Sequence, residues 1–111
     1  MTTSRQPLWR GADERGQILD KHVGFNLLMT DDNPSDAVVL DGRMSKGIKV
    51  SLVVDVYPLY VEFDGDATTS SMLIPAGAGY SDSNIFIGNK ISVRNVAPGE
   101  NGQIRGIIWG R

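Results

Sequence analysis

The sequence contains no cysteine, so neither a disulfide framework nor a thiolate metal site is open to it. Histidine is nearly as scarce. His22 is the only one, and a Ser-His-Asp arrangement would have to use it. No apolar run approaches the roughly 20 residues that cross a membrane as a helix. The opening Met1-Thr2-Thr3-Ser4-Arg5-Gln6-Pro7 lacks the apolar centre of a signal peptide, so a soluble protein is expected. The 11 Lys and Arg against 13 Asp and Glu give a net charge of −2. With no basic stripe, nucleic acid is not an expected partner, and neither is a membrane. A chain of 111 residues is one ordinary domain. It can bury roughly two thirds of its extended-chain surface, enough for a core without staples.

What is present is strand-like. Residues 1–22 are polar, interrupted by Pro7, Gly11 and Gly16, and hold no sustained period, so they read as an extended N-terminal arm. Trp9 stands out there, suited either to its own fold or to a neighbour's surface. From Val23 the chain alternates. Val23, Phe25, Leu27 and Met29 share one side. Asp31 to Asp36 is a turn cluster around Asn33-Pro34, and Ala37 to Leu40 is a short strand closed by Asp41-Gly42. Ile48, Val50, Leu52 and Val54 face one way in the clearest strand, which Pro58 ends or bends. Leu59 to Phe63, Met72 to Ile74, Asn84 to Ile87 and Lys90 to Val96 are further strands. Pro75 to Gly79 is a corner between sheets. The loop Ala97 to Gly102 carries Pro-Gly and Asn-Gly, which predicts a hairpin into a last strand, Gln103 to Trp109. There Ile104 and Ile108 share one side, Ile107 and Trp109 the other, and Trp109 is expected to supply much of the buried surface. The acids concentrate between Asp31 and Asp82 while the closing segment leans basic, a split that can steer a partner or merely solvate strand faces. Many short strands separated by turns predict an all-β protein, a small antiparallel β-sandwich or jelly-roll-like domain over residues 23–111.

The candidate chemistry is thin. His22 sits between arm and strand, where a solvated histidine is the simpler reading. Asp64-Gly65-Asp66 begins like a calcium loop, but Thr68, Thr69, Ser70 and Ser71 follow where further ligands and a closing Glu are needed. Asp31-Asp32 lies in a turn. Pro75-Ala76-Gly77-Ala78-Gly79 lacks the Lys-Ser/Thr ending of a phosphate loop. Tyr57, Tyr60, Tyr80 and Trp109 could stack on a sugar, or serve as core and interface. No catalytic residue, no metal and no cofactor is expected.

From Asp55 to Trp109 the order of features resembles a known group. Pro58-Leu59-Tyr60-Val61-Glu62-Phe63 leads to Asp64-Gly65. Leu73-Ile74-Pro75-Ala76-Gly77, a loop centred on Tyr80, the strand Ile91-Ser92-Val93-Arg94 and a final hairpin ending at Trp109 follow. The pattern is similar to small β-sandwich virion proteins of tailed bacteriophages, capsid decoration (cement) proteins among them, over about half the chain. The resemblance implies a non-enzymatic structural role on the outside of a phage capsid. It also implies a homo-oligomer, with the major capsid protein or another virion protein as partner, made in the host cytoplasm and carried on the virion. The alternative is a carbohydrate-binding or tail/fibre adaptor module used in host attachment. In the decoration reading the arm is the anchor. Leu8, Trp9, Ile18 and Leu19 supply apolar contact, and Arg5, Arg10 and Arg15 supply forked donors for carboxylates.

Overall fold

The computed structural model describes residues 11–12 and 18–111. Among these residues ten strands run in chain order: β1 (Gly11–Ala12), β2 (Ile18–Leu19), β3 (Lys21–Leu28), β4 (Ser35–Val39), β5 (Gly47–Asp55), β6 (Leu59–Phe63), β7 (Met72–Ile74), β8 (Gly79–Asp82), β9 (Lys90–Asn95) and β10 (Gln103–Gly110). No helix occurs among the described residues. β1 and β2 form a small antiparallel ribbon. The other eight make two four-stranded antiparallel sheets, ordered β3-β10-β5-β8 and β4-β9-β6-β7.

That order has a simple logic. Of the eight strands the first pairs with the last, the second with the seventh, the third with the sixth and the fourth with the fifth. A long hairpin has been rolled up, and the further pairs β5–β10 and β6–β9 close the roll. This is jelly-roll topology. Of the seven connections only β6–β7 is a hairpin; the other six cross from one sheet to the other.

The sheets bury their alternating apolar faces against each other. Val23 and Phe25 of β3, Val50, Leu52 and Val54 of β5, and Ile104 and Ile108 of β10 meet Val38, Leu59, Val61, Ile74, Ile91 and Val93 of the second sheet. β10 is central and pairs along its whole length with both β3 and β5. A Cβ at Gly106 on that strand would run into the Ser51 carbonyl oxygen and Leu52 of β5, so only glycine fits there.

Several expectations change. The Ala97–Gly102 loop is not a hairpin. Pro98 and Gly99 occupy the centre of a turn in which the Glu100 N–H donates to the Ala97 carbonyl at 3.1 Å, and Gly99 has φ 77°. That is a type II turn, whose twist does not suit a tight hairpin, and the chain passes to the other sheet instead. Gly102 is required for a different reason: a Cβ there would lie 2.5 Å from the Tyr57 carbonyl oxygen. Asn84 to Ile87 is not a strand; it keeps a single bridge, Ile87 to Gly47. The Tyr80 loop is strand β8, paired with β5. Ser92, which alternates with Ile91 and Val93 on β9, is nonetheless fully buried. Trp109 lies on the outer face of its sheet, only half-buried, with the Lys49 Nζ 4.9 Å from its ring.

Candidate functional site

The two outer faces of the sandwich are built differently. On the second sheet, the segment after β6 folds back over β9. Asp64 starts it, with its carboxylate accepting from the backbone N–H groups of Gly88, Asn89 and Lys90 at 2.7–3.1 Å. Partial burial pushes the Asp64 carboxyl up, but these three donors outweigh it and hold it below the usual carboxylate range. Further along, the Ala67 N–H donates to the Ser92 hydroxyl at 2.9 Å, and both residues are fully buried. The Ser71 hydroxyl donates to Glu62 at 2.7 Å. Lys90 bridges Asp66 at 2.6 Å and Asp36 at 3.1 Å, and these bonds raise its pKa. The middle of this face, around Ser92, is covered by its own chain, while Val39 and Leu73 nearer its edges stay exposed.

On the first sheet, His22, Gly24, Asn26 and Leu28 of β3, Arg105, Ile107 and Trp109 of β10, and Lys49, Ser51, Val53 and Asp55 of β5 point outward. Leu28 is 52% exposed. The polar groups are tied to one another across the strands. Arg105 meets Asp55 at 2.7 Å, Gln103 donates to Asn26 at 2.8 Å, and Ser81 donates to Ser51 at 3.1 Å. Between them lies a shallow open depression of about 620 Å³, lined on its outward side by Gly24, Asn26, Ser51, Val53, Arg105 and Ile107. The small residues keep it flat, and Ile107 and Val53 give it apolar character. Such a face suits a flat partner better than a buried small molecule.

One end of the roll is stitched together. The Asn95 side-chain amide donates to the Asp31 carbonyl, the Asp32 carboxylate and the Asn101 side chain at 2.7–3.0 Å, and its oxygen accepts from the Gly102 N–H. The Gly99 N–H also donates to Asp32. The bond from Asn95, then that from Gly99, holds the Asp32 carboxyl below its ordinary value. Asp31-Asp32 is thus a structural turn. Beside it, Val56 is 59% exposed at φ 73°, with the Tyr57 N–H bonded back to the Asp55 carbonyl at 2.9 Å. This is a strained γ-turn, unusual for a β-branched residue.

His22 stands exposed on β3 opposite Trp109. Tyr57 lies in the β5–β6 connection and Tyr60 on the second sheet. Tyr80 packs toward the core, with its hydroxyl donating to Asp82 at 3.0 Å. These aromatics and Trp109 do not share a face, so the sugar platform is not assembled. Among the described residues no cluster of His, Cys, Asp and Glu could hold a metal ion.

Of the arm residues named above, Arg5, Leu8, Trp9, Arg10 and Arg15 lie outside the described residues. Ile18 is in β2. Leu19 is fully buried in the chain's own fold and so is not presented as a surface anchor; the folded strands also begin before Val23, with β3 starting at Lys21. No protein-family model, curated protein or solved structure matches the chain.

Proposed function

We propose that this chain is a non-enzymatic binding module, and specifically a structural virion protein that seats on the outside of a phage capsid. The observation that carries the reading is the difference between the two outer faces. One has its centre covered by residues 64–71, while the other presents a broad, flat surface of half-exposed apolar residues and mutually paired polar groups. The jelly-roll fold, which recurs in viral capsid and lectin domains, supports this role. The lectin alternative loses its main support because the aromatics are dispersed. In this reading the open face rests on a capsid subunit, and Arg5, Trp9, Arg10 and Arg15 add contacts from the N-terminal side.

Co-sedimentation with undecorated phage particles tests the proposal. The full-length protein is expected to pellet with particles, and Ile107→Glu on the open face to remain largely in the supernatant. Phe86→Glu, at the exposed connection between β8 and β9, is expected to bind like the parent. Failure to bind any particle preparation, or equal binding by Ile107→Glu, removes the basis for the reading.

A further inference from the structure

The four sheet edges are not alike. β8 is four residues long and includes Gly79 and Asp82. β7 has three residues. β4 carries a bulge between Asp36 and Val38, and Asp36 is engaged by Lys90. Short, bulged or charged edges are the usual protection against sheet-to-sheet pairing. β3 is neither short nor bulged, and its one formal charge, Lys21, stands at its first residue. It runs for eight residues in unbroken register with β10, without a proline or a bulge. Asp20 alone separates it from β2. The ribbon strand β1 pairs with β2 and also lies against β10. The ribbon therefore continues on β10's side, and among the described residues no strand pairs with the opposite edge of β3.

We infer that this edge is a self-pairing interface, and that its occupant is the β3 strand of a second copy of this chain. The inference goes beyond the proposed function and gives a surface to the homo-oligomer that the sequence resemblance implies. Two copies related by a two-fold axis perpendicular to the sheet pair antiparallel and keep their core faces on the same side. With the axis at Gly24, Val23 lies opposite Phe25 of the second copy on the core side, twice. On the outer side His22 lies opposite Asn26, also twice. The first pairing joins a β-branched to an aromatic residue and the second joins a donor to an acceptor, both favourable cross-strand combinations. Lys21 falls opposite Leu27, so no like charges meet. The result is one eight-stranded sheet, and the two open faces become a single continuous surface.

The absence of native cysteine makes the test direct. A Cβ at Gly24 would meet only the Gly106 carbonyl oxygen, at 3.7 Å, so Gly24→Cys is sterically compatible with the fold. At the axis the two Cα atoms stand about 4.5–5.5 Å apart, within reach of a disulfide. Sedimentation equilibrium of the full-length chain over a concentration series is expected to show a monomer–dimer equilibrium. Mild oxidation is expected to convert Gly24→Cys into a covalent dimer, while Ser81→Cys on the β8 edge stays monomeric. A monomer at every concentration with no more cross-linking through Gly24→Cys than through Ser81→Cys overturns the inference. So does a monomer whose β3 amides exchange slowly along the outer edge, because the chain itself would then cover it. A monomer that still pellets with particles refutes the edge pairing alone. A dimer that binds no particle refutes the functional reading alone.

Discussion

Neighbouring residues on β10 give the sharpest test of how the sandwich is assembled. Ile108 is fully buried between the sheets, and Trp109 follows it on the outer face. Replacing Ile108 by alanine removes three carbons from a site held on both sides by paired strands, β3 and β5, which leaves little freedom to collapse. Such truncations cost about 2–5 kcal/mol, and the confinement argues for roughly 3–4. Trp109→Ala removes a larger side chain, but one that is only half-buried and lies under the Lys49 ammonium, an exposed contact of about 0.5–1 kcal/mol. With the partial burial added, its loss comes to about 1–2 kcal/mol. A small domain has a urea dependence of about 1–3 kcal/mol per molar. The Ile108→Ala midpoint is therefore expected to fall by roughly 2 M and that of Trp109→Ala by roughly 1 M or less. Far-UV circular dichroism is the suitable probe, because the chain has only two tryptophans and one variant removes one of them. A larger loss for Trp109→Ala than for Ile108→Ala would mean that β10 presents its other face to the core, and the register with β3 and β5 would have to be shifted by one residue.

Three further perturbations follow from the same packing. Gly106→Ala sets a methyl group against backbone atoms of β5 that cannot move without breaking the ladder, and is expected to cost about 3 kcal/mol or more in chemical denaturation. Ser92→Ala leaves the Ala67 N–H buried without its acceptor; a loss of about 1–3 kcal/mol is expected, with faster amide exchange at Ala67 as its local signature. Asp64 has a folded-state pKa below its unfolded value. Its contribution is therefore complete above the ordinary carboxylate pKa of about 4 and is lost as pH falls through the lower folded value. Asp64→Asn, which tolerates the φ of 67° at this position, is expected to lower stability at neutral pH by about 1 kcal/mol, given the solvent exposure of the site. The difference in melting temperature between the parent and this variant should shrink on acidification below pH ~4; a constant difference would remove the carboxylate from the account.

The strands that alternate cleanly were legible from the sequence. Ile48 to Val54, Leu59 to Phe63 and Ile104 to Ile108 carry a period of two, and the structure buries Val50, Leu52, Val54, Leu59, Val61, Ile104 and Ile108, while Ile48 and Phe63 at the strand ends are only half-buried. Connectivity was less legible, because turn chemistry specifies a local bend and not the sheet to which the chain returns. Pro98-Gly99 and Pro75-Ala76-Gly77 each form type II turns, with Gly99 at φ 77° and Gly77 at φ 83°, and both lead from one sheet to the other. β8 was hidden because Gly79, Ser81 and Asp82 around Tyr80 are small or polar, and it is a strand chiefly through its pairing with β5. Trp109 misled through its size: the parity of its strand already set it opposite Ile108, and hydrophobicity alone argued for the core. The open face could be assembled only from register, since His22, Lys49 and Trp109 are distant in sequence and become neighbours across three strands.

The contrast between the faces also bears on how a domain with one shallow surface could bind firmly. A flat face with internally paired polar groups loses little by desolvation, but it offers few deep pockets for anchoring residues, and affinity follows such anchors more than area. In the proposed dimer two copies of this face lie side by side, fixed by one continuous sheet. Contact by the first then holds the second at a high effective concentration over its own target, provided that targets recur at the spacing of the two faces. A shell of repeated subunits satisfies that condition and an isolated soluble partner does not. The two proposals therefore make a joint prediction. Oxidised Gly24→Cys, locked as a dimer, should leave assembled particles more slowly than the parent protein does, yet bind a single capsid subunit no more tightly per face. Equal dissociation from particles would show that pairing along β3 and attachment through the open face are independent.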